Sequence, residues 1–559
     1  MQPVFCAEEE ALPVVEMSAD RVTIYPQRME LNGEETLFDI LQLYPAILTN
    51  AYDNWLDDWE IRIDNGPYGG DMRVLLNEMK AYRIKKVQIS DAPGVAKGNT
   101  GFNGVVDVFL MPMEEGAHGT ISGELSQNVS TTPFAEFRYG SKNTDILANA
   151  SYTFVPLDPY DEHRQHSNFH MVNQLGEKDQ LVTYFTQSYA RTNQYGKYEK
   201  FQYYLPGHYR TDDRLFIGQL RNYHYFKPSM FLMSALVYQH HRTPTTHSLI
   251  DDENHSYLKK DDNIHVAAAV EEFNATFFDH LNLMAGVEAV FLTEDCMQMK
   301  DYYIDYNWNG HRANIDAYVE LDYTFRQWRF TLGDRARYFR YFMNNHTYPN
   351  SEHLNHRFHN MMHASIIFTP HHEHQLQLAY AQKYLPASIS ANPQAIPIHE
   401  VKLGYNFARP NTSASLNAYY YRFKRDGYDY NIFQMDASAR YHYQFFTITG
   451  GVSVQAGQGY QGMRSAYAAF RLTPVFDIPY GMQVKARTVF YTPDEPLADF
   501  HRPTLLYKSS AYNDYLHNKP VYADLQFTKF WPHLDLYALW HDIFNGSYGI
   551  ATIGLRVKM

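Results

Sequence analysis

Cysteine is almost missing from this chain: Cys6 and Cys296 are the only two in 559 residues, with neither an even framework of pairs nor metal-type spacing. Redox chemistry and a disulfide scaffold find no support. Long apolar runs are missing too, since no stretch reaches eighteen consecutive apolar residues, and helical membrane spans are not expected. A basic excess is also lacking. The net charge is -14, with 48 Lys and Arg interleaved among 62 Asp and Glu, so no basic stripe offers itself to nucleic acid. No serine elbow, zinc-binding helix or phosphate loop stands in a suitable context. Gly94, Gly98, Gly101 and Gly104 are closely spaced, but no lysine-serine or lysine-threonine pair and no helix follows them. Neither catalysis nor a resident cofactor is expected.

What the chain has in excess is aromatic residues, 16% of the total with 47 Tyr and 35 Phe, which suits a structure with two aromatic girdles at membrane-water interfaces. It also alternates. Arg312 to Thr324 reads R-A-N-I-D-A-Y-V-E-L-D-Y-T and places Ala313, Ile315, Ala317, Val319, Leu321 and Tyr323 on one face of a strand. Arg312, Asn314, Asp316, Tyr318, Glu320, Asp322 and Thr324 fall on the other. A soluble sandwich would turn the apolar face to a second sheet, whereas a membrane barrel turns it to lipid.

Past about residue 113 such strands recur in pairs joined by very short turns. Ten are read, at Gly140 to Asn143, Gly176 to Asp179, Lys227 to Ser229, Asp279-His280, Arg326-Gln327, Pro370 to Glu373, Arg409 to Asn411, Tyr441-His442, Pro474 to Pro479, and Trp531 to His533. Longer connections, such as Arg191 to Asp213 and Thr492 to Pro520, alternate with them, as external loops alternate with periplasmic turns in bacterial barrels. If both chain ends of the barrel are periplasmic, ten turns require about twenty-two antiparallel strands. The closing stretch, Tyr548 to Met559, alternates Gly549, Ala551, Ile553, Leu555, Val557 and Met559 against Arg556 and Lys558.

The first 112 residues differ in kind. Met1 to Ala7 precedes Glu8-Glu9-Glu10 and is read as the remnant of a longer secretory signal, followed by an extension over residues 8–20. Residues 21–112 read as a small mixed α/β unit, and 113–559 as the barrel. Leu37, Ile40, Leu41 and Tyr44 have helical spacing and Pro45 stops them; Glu60 to Asp64, Lys85 to Ile89 and Val105 to Phe109 read as strands.

In this arrangement the chain resembles the TonB-dependent receptors of Gram-negative outer membranes over nearly its whole length. Thr36 to Tyr44 before Pro45 resembles the family's early leucine-proline element, and Ile63-Asp64-Asn65-Gly66-Pro67 its hydrophobic-Asp-Gly turn. Ile84 to Ile89 resembles the strand before its glycine loop, Asn103 to Val108 its closing plug strand, and Trp540 to Tyr548 its penultimate turn. Pro45-Ala46 stands where the family usually has Pro-Gly, and its arginine-glycine strand is missing before Asp64. The resemblance implies an all-β transmembrane barrel of about twenty-two antiparallel strands with an N-terminal mixed α/β plug in its lumen. It also implies contact with outer-membrane lipid and TonB-coupled uptake of a ligand from the siderophore, glycan, peptide, haem or cobalamin class. Leu12, Pro13, Val14, Val15, Glu16 and Met17 occupy the place of the segment that contacts a TonB-type periplasmic energy transducer. The alternative is a non-transporting plugged barrel that binds a surface lipoprotein or another subunit of a cell-envelope complex.

Histidine is plentiful, at 27 residues. His353, His356 and His359, with His346, fall around an expected external loop and are the candidates for a metal or haem site. A solvated histidine-rich loop accounts for the same pattern.

Overall fold

In the computed structural model, residues 14–17, 22–29, 35–41, 59–64, 66–67, 75–76, 79–90, 95 and 104–111 of the N-terminal part are described. The C-terminal part is described over 115–558 apart from 127–130, 132, 158–159, 201–202, 251–254, 279, 301–302, 347–352, 372, 386–395, 410, 426–427, 459–463, 492–520, 532–533, 542 and 544–549.

The N-terminal part is built on a six-stranded sheet. Its strands are β1 (Val15–Met17), β2 (Val22–Ile24), β3 (Trp59–Ile63), β4 (Gly66–Pro67), β5 (Ile84–Ser90) and β6 (Gly104–Leu110), in the order β1-β2-β5-β6-β3-β4. All pairs are antiparallel except β3 with β6. Helix α1 (Leu37–Leu41) begins at a partial capping box: Asp39 Oδ2 accepts from the backbone N and Oγ1 of Thr36, both at 3.1 Å. Leu37, Ile40 and Leu41 are fully buried against Ile24, Ile61, Ile84, Val87, Val106 and Val108. This cluster is the apolar core.

The rest of the chain is one closed antiparallel barrel of 22 strands, from β7 (Gly116–Ser126) to β28 (Ile550–Lys558), and β28 closes it by pairing with β7. The strand Arg312 to Thr324 lies in β16 (Tyr303–Phe325), between β15 (Leu281–Lys300) and β17 (Trp328–Asn345). Its two faces separate as the alternation predicts. Ile315 is 54% exposed and Val319 and Leu321 are 43% exposed, while Asp316 is 1% and Asp322 8% exposed. Hence the apolar side is the outside of the barrel and the charged side faces the lumen. The outward face is lipid-facing: Phe325, Trp328 and Phe330 crowd its periplasmic end, and Phe291, Tyr338 and Phe358 form a second belt about ten residues further along the strands. No described helix is long and apolar enough to cross a membrane.

Eight of the ten predicted turns coincide with observed strand ends. Tyr441-His442 does not: it lies inside β22 (Tyr428–Tyr443), because the alternation continues through exposed Tyr441 and Tyr443, and the chain reverses at Gln444-Phe445, where Gln444 takes φ 49°. Pro474 likewise sits inside β24 (Arg464–Ile478), opposite Ile448 on β23 (Phe446–Gln458); the turn is Pro479-Tyr480-Gly481. A proline supplies no ladder donor, and the pairing of β24 with β25 (Met482–Tyr491) is interrupted between Leu472 and Val475.

Arg191 to Asp213 is not a loop. Strands β11 (Asp179–Lys200) and β12 (Tyr203–Lys227) carry the ladder through it, with Arg191 opposite Asp212. Tyr189 and Arg191 both donate to Asp212 Oδ1 at 2.7 Å, so side-chain bonding holds a polar stretch in extended form beyond the membrane. Thr492 to Pro520 and Met559 lie outside the described residues.

Candidate transport site

The functional question in a closed barrel is what fills the lumen and what holds it there. The small N-terminal domain is the plug, and its sheet and helix meet the inner wall through a few polar contacts. Arg83, in the turn before β5, ion-pairs with Glu136 on β8 (Phe134–Gly140), with side chains 6% and 4% exposed. Arg138 also reaches Glu136, at 3.2 Å, and lies over the Tyr82 ring. Burial lowers the pKa of the Arg83 guanidinium and neighbouring Arg138 pushes the same way, while Glu136 opposes both. A guanidinium so placed depends on its partner.

On another side of the lumen, Lys485 of β25 ion-pairs with Asp39 of α1. Burial raises the Asp39 pKa, but the Lys485 ammonium and the Thr36 donors outweigh it and hold the carboxyl below the usual range. Asp64 follows β3 in a left-handed conformation, φ 46°, and accepts from the Leu110 backbone N at 3.1 Å. Its surroundings include His170 Nε2 at 3.6 Å and Arg221, whose Nη1 donates to the Asp64 carbonyl at 3.3 Å. Burial, with help from Asp145, raises its carboxyl to about 6 against the opposing Leu110 and Arg221.

Opposite these contacts, Arg335 on β17 bridges wall and plug. Its Nη2 meets Asp316 Oδ2 at 2.5 Å, it also pairs with Glu288, and its Nη1 reaches the carbonyl of Val95 in the plug at 3.4 Å. Arg337 completes the group by meeting Asp316 Oδ2 at 2.6 Å. The upper lumen carries two apolar clusters, one of Leu292, Cys296, Trp308, Phe339 and Tyr341 and one of Ile398, Tyr419, Tyr421, Phe423 and Ile432. Cys296 is buried within the first of them.

Of the residues proposed for energy coupling, Leu12 and Pro13 lie outside the described residues. Val14 packs at the edge of the plug core, and its carbonyl accepts from Tyr25 N at 2.8 Å. Val15, Glu16 and Met17 form β1, the terminal strand of the plug sheet, paired residue for residue with Ile24, Thr23 and Val22. Glu16 ion-pairs with Arg28. β1 also lies beside β20 (Ile396–Arg409) of the wall.

His353, His356 and His359 are placed on β18 (His353–His371), whose alternation runs through the expected loop, and His346 lies just past the end of β17. His356 is exposed and His359 is 8% exposed, so an odd separation sends their side chains to opposite faces, and His353 begins the same strand. His346 meets Asn309 at 3.1 Å. Among the described residues no group of three His, Cys, Asp or Glu is placed to hold a metal.

The partners across the lumen were not foreseeable as pairs. Arg83, Glu136, Asp39 and Lys485 are far apart in sequence, and the only local sign is a charge at an inward position of an alternating strand, as with Lys485 in M-Q-V-K-A-R.

No protein-family model matches the chain, and no curated protein matches it in sequence. Solved structures do match in fold. The siderophore receptor PiuA from Acinetobacter baumannii superposes with a TM-score of 0.71 over 99% of each chain at 10% identity. The closed form of the ferric-catecholate import receptor Fiu from E. coli K12 gives 0.69, again over 99% of each chain at 10% identity. The chain has the fold of these receptors. The alcaligin outer membrane receptor FauA from Bordetella pertussis adds a TM-score of 0.64 at 12% identity, over 97% of this chain and 95% of that one. Coverage this complete in both directions includes plug and barrel together. Ligand choice rests on side chains grafted onto the fold, so it must be argued from this chain's own residues.

Proposed function

We propose that this protein is an outer-membrane receptor that takes up a ligand of the ferric-siderophore class, driven by a TonB-type periplasmic transducer. The observation that carries the reading is the position of β1 as the terminal strand of the plug sheet, bonded on its inner side to β2. A terminal strand presents main-chain donors and acceptors that an incoming strand can grip with little sequence demand. Leu12 to Met17 supply that grip. Tension on β1 passes by antiparallel bonds to β2, then to β5, and so to Arg83 in the turn just before β5. The plug–wall ion pairs are then the contacts that tension must break. The ligand class comes from the receptors of like fold, two of which are named as receptors for siderophores or ferric catecholates.

The test is accumulation of radio-iron-labelled catecholate and hydroxamate siderophores by cells expressing the chain, with and without a proton uncoupler. Val15→Pro removes a main-chain donor from β1. Expected are uncoupler-sensitive accumulation by the parent and its loss in Val15→Pro, with surface binding kept. A second reading, the non-transporting plugged subunit, draws on the folding of β1 into the plug. Accumulation that is absent in the parent, whose barrel is still folded in membranes, favours it.

A further inference from the structure

Two carboxylates stand where a membrane barrel should have none. Glu271 on β14 (His255–Phe277) and Asp334 on β17 are both exposed on the outer face, each roughly six residues inside the periplasmic end of its strand and so near the middle of the bilayer. Their outward companions are apolar: Asp334 lies opposite Val319, and Glu271 opposite Val287, with Leu332 and Leu321 beside the former. Among the described residues Asp334 has no hydrogen-bond or ion-pair partner. Glu271 has one, the Ser234 hydroxyl at 2.8 Å on β13 (Met230–Ile250). Asn222 on β12 lies opposite Ser234 and extends this into a short polar row on the lipid face. Ionisable groups within a membrane ordinarily face an interior or a partner, because hydrocarbon solvates them poorly.

Beside the row lies a groove of about 700 Å³, floored by Gly218, Ala267, Ala269, Ala289 and Ala313 and rimmed by bulkier side chains such as Leu236. Small residues on a membrane-facing surface let a second backbone approach closely. The charge pattern decides what that backbone carries. Among the described residues no lysine or arginine faces outward between the two aromatic belts; Arg214, Arg242, Arg340 and Arg422 stand at or beyond the outer belt and Arg409 and Lys529 at the periplasmic rim. A second copy of this chain therefore offers no cation at the depth of Glu271 and Asp334, and neither do acyl chains.

We propose that the outer face of β12 to β17 docks a membrane-embedded segment of a different protein, one that seats against the small-residue groove and places one lysine or arginine side chain against Glu271 and a second against Asp334, three strands away. The surface is distinct from the lumen and from β1, and it stands whether or not the barrel transports.

The test uses the full chain in native outer membranes, with a photo-crosslinking amino acid at Ala289 in the groove or at Leu403, an exposed position on β20. Expected is a discrete protein adduct from Ala289 and none from Leu403, whose crosslinked peptide is an apolar segment containing a lysine or arginine. Glu271→Leu with Asp334→Leu should reduce the adduct by about tenfold. Leucine suits a lipid face, so the paired variant should keep the heat-modifiable mobility of a folded barrel, which separates lost docking from lost folding. Lipid adducts only, an adduct with a second copy of this chain, a partner peptide without a cation, or a yield unchanged by the paired variant would each overturn the proposal.

Discussion

Arg83 of the plug and Glu136 of the barrel wall form an ion pair with both side chains almost removed from solvent, 6% and 4% exposed. Removing Glu136 leaves Arg83 buried and uncompensated, whereas removing Arg83 leaves Glu136 with Arg138 at 3.2 Å. Glu136→Ala should weaken plug seating by about 3–5 kcal/mol and Arg83→Ala by less, whereas the double change Arg83→Met with Glu136→Leu should recover most of the loss. Protease accessibility of the plug in intact purified barrels, compared across the three variants, measures this directly.

Gly333 faces the plug beside Arg335. A Cβ built there would come within 2.5 Å of the Val95 side chain and 3.4 Å of Glu320 Oε2. Gly333→Val should therefore push the plug away from this wall and raise protease access near Val95. Overpacking of this kind costs about 1–3 kcal/mol. The neighbouring outward change Leu332→Val touches no plug atom and serves as the comparison.

Ile315 and Val319 mark the lipid face of β16. Ile315→Arg or Val319→Arg should lower barrel stability by about 2–4 kcal/mol near the bilayer midplane. Reversible unfolding in detergent or lipid, followed by loss of heat-modifiable mobility, reads the effect; tolerance of both changes in a membrane-folded protein would count against this face touching lipid.

Asp64 gives the plug a pH dependence of predictable sign. Its carboxyl is raised by burial to about 6, so the folded plug favours the protonated form. The penalty for ionising it is absent below the ordinary carboxylate range, grows through the interval from about pH 4 to 6, and is complete above it. Plug seating should weaken over that interval by about 2 kcal/mol, a figure discounted because a quarter of the side chain is exposed. Asp39 acts in the opposite sense: its lowered pKa means that the pairing with Lys485 is lost as pH falls below the carboxylate range. Asp64→Asn should flatten the upper slope in a plug-protection profile and leave the lower one, provided that His170 at 3.6 Å is controlled for with His170→Gln.

Barrel architecture was legible because each strand states it alone. Arg312 to Thr324 alternates without a slip, and its two faces went to lipid and lumen as read. Strand ends were less legible where polar residues continue in ladder register, as from Arg191 to Asp213, since composition resembles a loop while pairing with a neighbour makes a strand. The plug core was visible through the helical spacing of Leu37, Ile40 and Leu41. Its seat was not, because Asp39 meets Lys485 and Arg83 meets Glu136 only after the chain has closed into a barrel. The lipid-facing acids escaped notice for a similar reason. In L-G-D-R-A-R, Asp334 shares its neighbourhood with lumen-facing Arg335, and only register assigns the two to opposite sides.

On the proposed function, the plug must move within the wall for ligand to pass. Asp39→Cys with Lys485→Cys, in a Cys296→Ser background, lets a disulfide-containing bis-maleimide linker tether α1 to β25 across the span that the long Lys485 side chain bridges. Radio-iron siderophore accumulation is then measured with the linker intact and after its reduction in the same cells, with surface binding recorded in parallel. The expected result is binding in both states and accumulation only after reduction. Equal accumulation with the tether demonstrably closed would contradict plug movement as the route of uptake.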